Sequence, residues 1–169
     1  TDRPADEASL QRWLGAAPAR EARQEIAVAQ DGLAFVVAPE SPLVSVSEDK
    51  LAKVLAGRIT TWVELGVSGG KINLYAVDAA SSATDIAVAT LLKPRGLGLS
   101  EQVTKVASEA ALADAVTRDQ SGIGITSFAT VRNAKRLNIE GSCGLITRPT
   151  SFAVKAGEYP LSRRLSLLA

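Results

Sequence analysis

The segment Ala79-Ala-Ser81-Ser82-Ala-Thr84-Asp85 sets hydroxyls at positions 81, 82 and 84 beside a carboxylate at 85. It follows Lys71 to Val77, whose alternation of Ile72 and Leu74 with Asn73 and Tyr75 predicts a strand. It opens Ser82 to Leu92, an apolar run that predicts a helix closed by Lys93-Pro94. The first amides of a helix have no partner within it, and the positive end of the macrodipole favours an anion there. With hydroxyls flanking those amides, the segment has the chemistry of an oxyanion cradle. The same residues also fit a capping box, in which Ser82 and Asp85 satisfy the amides internally. Residue chemistry alone leaves both readings standing.

Other constellations carry less. Gly66-Val-Ser-Gly-Gly-Lys71 is one residue short of a phosphate loop, and Ile72 stands where a hydroxyl must meet magnesium, so it reads as a turn. Gly122-Ile-Gly124 lacks the third glycine of a dinucleotide fingerprint and lies within an apolar run. Ser47-Glu-Asp-Lys50 has the Ser-x-x-Lys spacing of one hydrolase class, but Ser47 is the expected N-cap of a helix with Glu48 and Asp49 in its first turn. The sequence contains no histidine, which removes Ser-His-Asp and Cys-His catalysis and the commonest zinc ligand. Its single cysteine, Cys143, permits no disulfide within the chain and has no histidine to activate it. The expectation is a protein that is not an enzyme and uses neither metal nor cofactor.

The elements that would position the cradle are legible from periodicity. Leu10, Trp13 and Leu14 predict a helix stopped at Gly15. Glu25 to Ala29 and Leu33 to Ala38 predict two strands joined by a hairpin at Asp31-Gly32. Leu51, Val54 and Leu55 continue the helix capped by Ser47, with Gly57 as its stop. Val103 to Val106 predicts a short strand, and Ser108 caps a helix carrying Leu112, Ala115 and Val116. Gly122 to Thr126 and Lys135 to Ile139 predict further strands, and Thr150 to Ala156 a short helix ended by Gly157. Strands alternating with helices predict an α/β three-layer sandwich, a mixed and mainly parallel sheet with helices on both faces.

Composition narrows the partners. The 169 residues, 46% hydrophobic, suffice for one domain with a proper core. Lys and Arg number 19 against 18 Asp and Glu, so no electrostatic argument points to nucleic acid. The absence of methionine makes Thr1 an unexpected initiator, and the chain is expected to be a piece of a longer protein.

Four ordered segments resemble one family. Gly57-Arg-Ile-Thr-Thr-Trp-Val-Glu-Leu-Gly66 is similar to the Gly-Lys-Ile-Thr-x-Trp-x-x-Leu/Val-Gly signature of phosphate-type substrate-binding proteins of ABC importers. Gln30-Asp-Gly-Leu-Ala-Phe-Val-Val-Ala-Pro39 with Pro42, then Ser121-Gly-Ile-Gly124, then Gly157-Glu-Tyr-Pro-Leu-Ser-Arg163 resemble three more of its stretches in the same order. The resemblance implies one lobe of a type 2 periplasmic-binding-protein fold, a single α/β lobe over 1–169. Its hinge crossings to a missing second lobe fall near 1–4, where Thr1-Asp-Arg-Pro4 resembles the family's Ser-Asp-x-Pro, and near 159–164.

It further implies an extracytoplasmic, bacterial solute-binding protein, a phosphate-like oxyanion as ligand, and an inner-membrane ABC permease as partner. The ligand would lie at Asp2, Ala80, Ser81, Ser82, Ala83 and Thr84, with Asp2 matching an aspartate that accepts the proton of bound phosphate. Against the family pattern Arg-x-Asp-Gly-Ser-Gly-Thr, Val77 replaces the arginine, Ala79 the aspartate, Ser82 the second glycine and Ala83 the threonine, while Ser81 matches. A lost guanidinium is worth about 2–3 kcal/mol of charge-assisted contact, or roughly a hundredfold in affinity. The degraded pocket motivates an alternative, an interaction or sensory domain that keeps the fold without the ligand.

Overall fold

The computed structural model describes residues 25–78, 82–141 and 144–168. The predicted helix around Leu10 to Leu14, and Cys143, lie outside them. The elements in chain order are β1 (Glu25–Val37), β2 (Ser45–Ser47), α1 (Glu48–Leu55), α2 (Trp62–Leu65), β3 (Asn73–Val77), α3 (Ser82–Ala87), β4 (Thr104–Val106), α4 (Glu109–Arg118), β5 (Gly122–Ser127), β6 (Lys135–Arg136), β7 (Asn138–Glu140), β8 (Ile146–Thr147), α5 (Ser151–Lys155) and β9 (Ser162–Leu168). α3 runs on through a π-helical turn, Val88–Leu92, into a 3₁₀ turn at Lys93–Arg95. No helix among the described residues is long and apolar enough to cross a membrane.

The helix caps follow the sequence. Ser47 Oγ accepts from the Lys50 amide at 3.4 Å, Ser108 Oγ from Ala111 at 3.2 Å and Thr150 Oγ1 from Ala153 at 3.1 Å, each filling one orphan donor of a first turn. Ser47 is thereby a cap, as expected. Gly57 and Gly157, just past α1 and α5, have φ of +69° and +71°, which a side chain would resist.

The main sheet has strand order β4-β3-β5-β1-β6, with β9 also paired to β1. β4, β3 and β5 run parallel, whereas β1 is antiparallel to β5, β6 and β9. A smaller sheet, β2-β7-β8, sits apart. The two-residue period of β1 divides the interior. Leu33, Phe35 and Val37 enter a core with Leu51, Leu55, Leu91 and Ile123, while Ala34 and Val36 enter a second with Leu112, Val116 and Val131. Helices therefore cover both faces, α1 and α3 on one and α4 on the other, which is the expected sandwich.

Two strand expectations need correction. No hairpin forms at Asp31-Gly32: β1 runs unbroken through both residues, which pair with Arg163 and Ser162 of β9. Gly32 answers a packing demand instead of a turn, since a Cβ there would lie 3.1 Å from Val154 Cγ2 and 3.4 Å from Tyr159 Cδ1. Lys135 to Ile139 is likewise two strands in two sheets. The Leu137 amide donates to Phe35 in the main sheet, and the next amide, Asn138, donates to Val44 at the entry to the small one.

The junction where β1 exchanges partners is tightly held. The Leu33 amide donates to the Leu161 carbonyl at 2.9 Å, and the buried Tyr159 hydroxyl donates to the Leu33 carbonyl at 2.9 Å. At the amino ends of β3 and β5, Asp119 accepts from Asn73 Nδ2 (2.8 Å), Tyr75 Oη (2.9 Å) and the Ser121 amide (2.9 Å). Burial raises the Asp119 carboxyl, but these donors hold it below its ordinary value. The clamp fixes the register of β3 against β5.

The β5–α4 contact is close enough to test. A Cβ on Gly124 would come within 2.6 Å of Leu112 Cδ2 and 3.1 Å of Val116 Cγ2. Gly124→Ala is expected to lower stability by about 1–3 kcal/mol in urea denaturation, as overpacking does. In the Leu112→Ala background, which removes the obstructing methyl, the added cost of Gly124→Ala should largely disappear.

Candidate functional site

β3, β4 and β5 are parallel neighbours, so Val77, Val106 and Ser127 end together on one edge of the sheet. Parallel α/β sheets bind ligands outside this carboxyl edge, where the helices that follow adjacent strands depart to opposite faces. That divergence is present here. Ala83 and Ala87 of α3 pack in the first core, and Leu112 and Val116 of α4 in the second. At this edge the Asp78 amide donates to the Val106 carbonyl at 3.1 Å, and Lys105 Nζ lies 3.3 Å from Asp78 Oδ1.

Of the predicted site residues, Asp2, Ala80 and Ser81 lie outside the described residues. Ser82 is the first residue of α3. Ala83 is fully buried in the first core, and Thr84 is buried with its Oγ1 donating to the Val77 carbonyl at 3.4 Å. Their side chains are thus turned inward, toward the sheet. What Ala83 and Thr84 can offer a ligand is therefore main chain in a first helical turn.

Periodicity gave no sign of a second feature on the same edge. Glu109, the first residue of α4, accepts from the Ser127 amide at 3.0 Å, from Ser127 Oγ and from Thr126 Oγ1 at 3.3 Å, while Ser127 Oγ sits 2.9 Å from Thr130 Oγ1. Burial raises this carboxyl, but donors from Ser127, Thr130 and Thr126 outweigh it and hold it below its ordinary value. Glu109 thereby ties the end of β5 to the start of α4. Its only sequence signal is an acid directly after the cap Ser108. Lys105, in the strand expected at Val103 to Val106, carries no signal except its charge. A partly open hollow lined by Thr60, Lys71, Ile72 and Ser100 among others lies before the amino end of β3, at the edge of the sheet opposite the carboxyl edge.

The family model described as "PBP superfamily domain" matches residues 1–169. The phosphate-binding protein PstS of Borreliella burgdorferi is 26% identical over 152 residues, covering 86% of this chain and 54% of that protein. Among solved structures, an ABC-type phosphate transport receptor from Vibrio cholerae superposes with a TM-score of 0.79 at 22% identity, over 99% of this chain and 64% of that one. PstS from Borrelia burgdorferi superposes at 0.76 with 21% identity, over 100% and 65%. The chain spans about half the length of the curated relatives it matches. At these identities the superpositions establish the fold.

The Glu109 cluster predicts a pH dependence. A carboxyl depressed in the folded state adds stability that is fully present above its unfolded-state value, near the ordinary 4.5, and is lost as pH falls through the folded-state value. Denaturant unfolding of the unaltered chain and of Glu109→Gln should therefore differ most near neutral pH and converge as the solution is acidified below about pH 4. A gap that stays constant with pH would mean that the ionised form holds nothing.

Proposed function

The chain belongs to the PBP superfamily domain family, and from that premise we propose that it is a solute-binding lobe of a phosphate-type substrate-binding protein serving an ABC importer. In this reading the protein is not an enzyme. It holds phosphate or another small oxyanion at the carboxyl edge of β3, β4 and β5. The amides of Ser82, Ala83 and Thr84, with Ala80 and Ser81 ahead of them, form one wall, and Asp2 supplies an acceptor for a proton of the ligand.

The observation that carries the reading is a coincidence of place. The segment that resembles the family's anion loop on sequence grounds leaves the carboxyl edge at Val77–Asp78 and enters α3, where sheet physics alone puts a ligand. The names of the relatives, phosphate-binding protein and phosphate transport receptor, point to the same chemistry.

The remainder of the proposal follows from the half-length match. A second lobe would close over the crevice, an inner-membrane permease would receive the solute, and the protein would work outside the bacterial cytoplasm. The ribbon formed by Glu25–Gly32 of β1 with β9 supports a crossing between lobes near 159–164. The other expected crossing, at 1–4, lies outside the described residues.

The chemistry sets the expected strength. Backbone amides at a helix start bind an anion through dipole and hydrogen bonds, but Val77 brings no guanidinium to the site. Calorimetric titration of the full-length protein with phosphate and with sulfate should give heat with phosphate, at an affinity roughly a hundredfold below that of relatives carrying the arginine. No heat with either anion up to about millimolar concentrations, the range of a bare −4 kcal/mol site, would overturn the proposal and favour a domain that kept the fold without the ligand.

A further inference from the structure

A group of apolar side chains stands in water beside the place where β1 changes partners. Five large hydrophobic side chains are exposed among the described residues, and three of them are Leu145 (67%), Ile146 (53%) and Phe152 (73%). Both elements that carry these three abut segment 159–162. The Gly141 amide donates to the Leu145 carbonyl at 3.0 Å, and a Cβ on Gly141 would lie 3.7 Å from Pro160 Cγ. In α5, next to Phe152, the Ala153 carbonyl accepts from the Tyr159 amide at 3.1 Å. Exposed apolar residues scattered singly are ordinary, whereas several beside one segment mark a contact surface.

The ribbon at the same end asks for a neighbour too. Residues 25–32 of β1 pair with β9 alone, and Leu33 stands opposite Ser127, the last residue of β5, so the ribbon runs on past the carboxyl edge. Two antiparallel strands without a third are marginal in water unless another body packs on them. The chain spans about half the length of its curated relatives, and a protein as long as they are has room for a second body of similar size.

We propose that Leu145, Ile146 and Phe152 form a surface against which the second lobe of the same protein packs. This rests on the two-lobed reading given above and not on the identity of the ligand. The occupant is an attached body because the surface borders the segment where that reading puts the crossing, near 159–164. Three side chains fall short of the roughly 1,200–2,000 Å² that a stable complex of separate chains buries. A tethered lobe is held at high effective concentration and needs less.

The test uses the full-length protein, with Val63 of α2 as the control because it too is 67% exposed. Hydroxyl-radical oxidation, followed by mass spectrometry and normalised to the urea-unfolded protein, should show Leu145 and Phe152 shielded about threefold or more relative to Val63, as the side chains of an interface are. Leu145→Ser and Phe152→Ser should each lower the thermal midpoint by about 2–4 °C, whereas Val63→Ser, a free surface substitution, should leave it unchanged. The shielding should persist on roughly hundredfold dilution, since a tethered contact does not follow mass action. Oxidation of Leu145 and Phe152 at the rate of Val63 overturns the proposal, as does shielding lost on dilution, the mark of a second copy. Small-angle scattering of the same sample tells the two failures apart. Two bodies with Leu145 and Phe152 unshielded overturn this surface alone, and a single body overturns the two-lobed reading with it.

Discussion

Parallel pairing of β3 between β4 and β5 is the constraint on which the rest depends. Three strands running the same way must end on the same edge, and the two links between them must each be a crossover that returns along a face of the sheet. Here the crossover after β3 lies on one face and that after β4 on the other, as the separate cores of α3 and α4 record. In sheets of this kind the divergence opens a crevice between the helix starts. The strand ends and the starts of two helices meet along this edge. The replacements at 77, 79, 82 and 83 leave this arrangement of strands and helices in place.

The edge is held from below and from behind. Asp119 locks the amino ends of β3 and β5, so their carboxyl ends cannot slip relative to one another. Glu109 joins the end of β5 to α4, fixing the far side of the crevice. β1 then ties the parallel triple to everything else. Its first part pairs with β9, its second with β5 and β6, and Tyr159 secures the transition through the Leu33 carbonyl. Burial pushes the Tyr159 hydroxyl up, consistent with a donor whose role is wholly internal.

Helices α1, α4 and α5 and the strands of the parallel triple were legible because their signals are local, whereas α2 and β2 were not foreseen. Caps at Ser47, Ser108 and Thr150, stops at Gly57 and Gly157, and alternation in Asn73–Val77 each depend on a few neighbours. Asp31-Gly32 misled for the opposite reason. A glycine can serve a turn or a close approach, and only the distant Val154 and Tyr159 decide which. The split at Leu137 also has no local mark, since alternation continues unbroken while the partner strand changes. At the candidate site the loop-to-helix segment was readable as a pattern, but Glu109 and Lys105 were not. Their significance comes from residues 18 positions away at Ser127 and 27 positions away (105 − 78) at Asp78, brought near by the crossovers.

The central claim is that this carboxyl edge faces a ligand. The most direct test is a crystal structure of the full-length protein grown with phosphate. The account predicts a tetrahedral anion within about 3 Å of the Ser82–Thr84 amides, the distance of a hydrogen bond, on the α3 side of Asp78. An anion bound elsewhere in the molecule, or this edge sealed by the protein's own side chains, would contradict it.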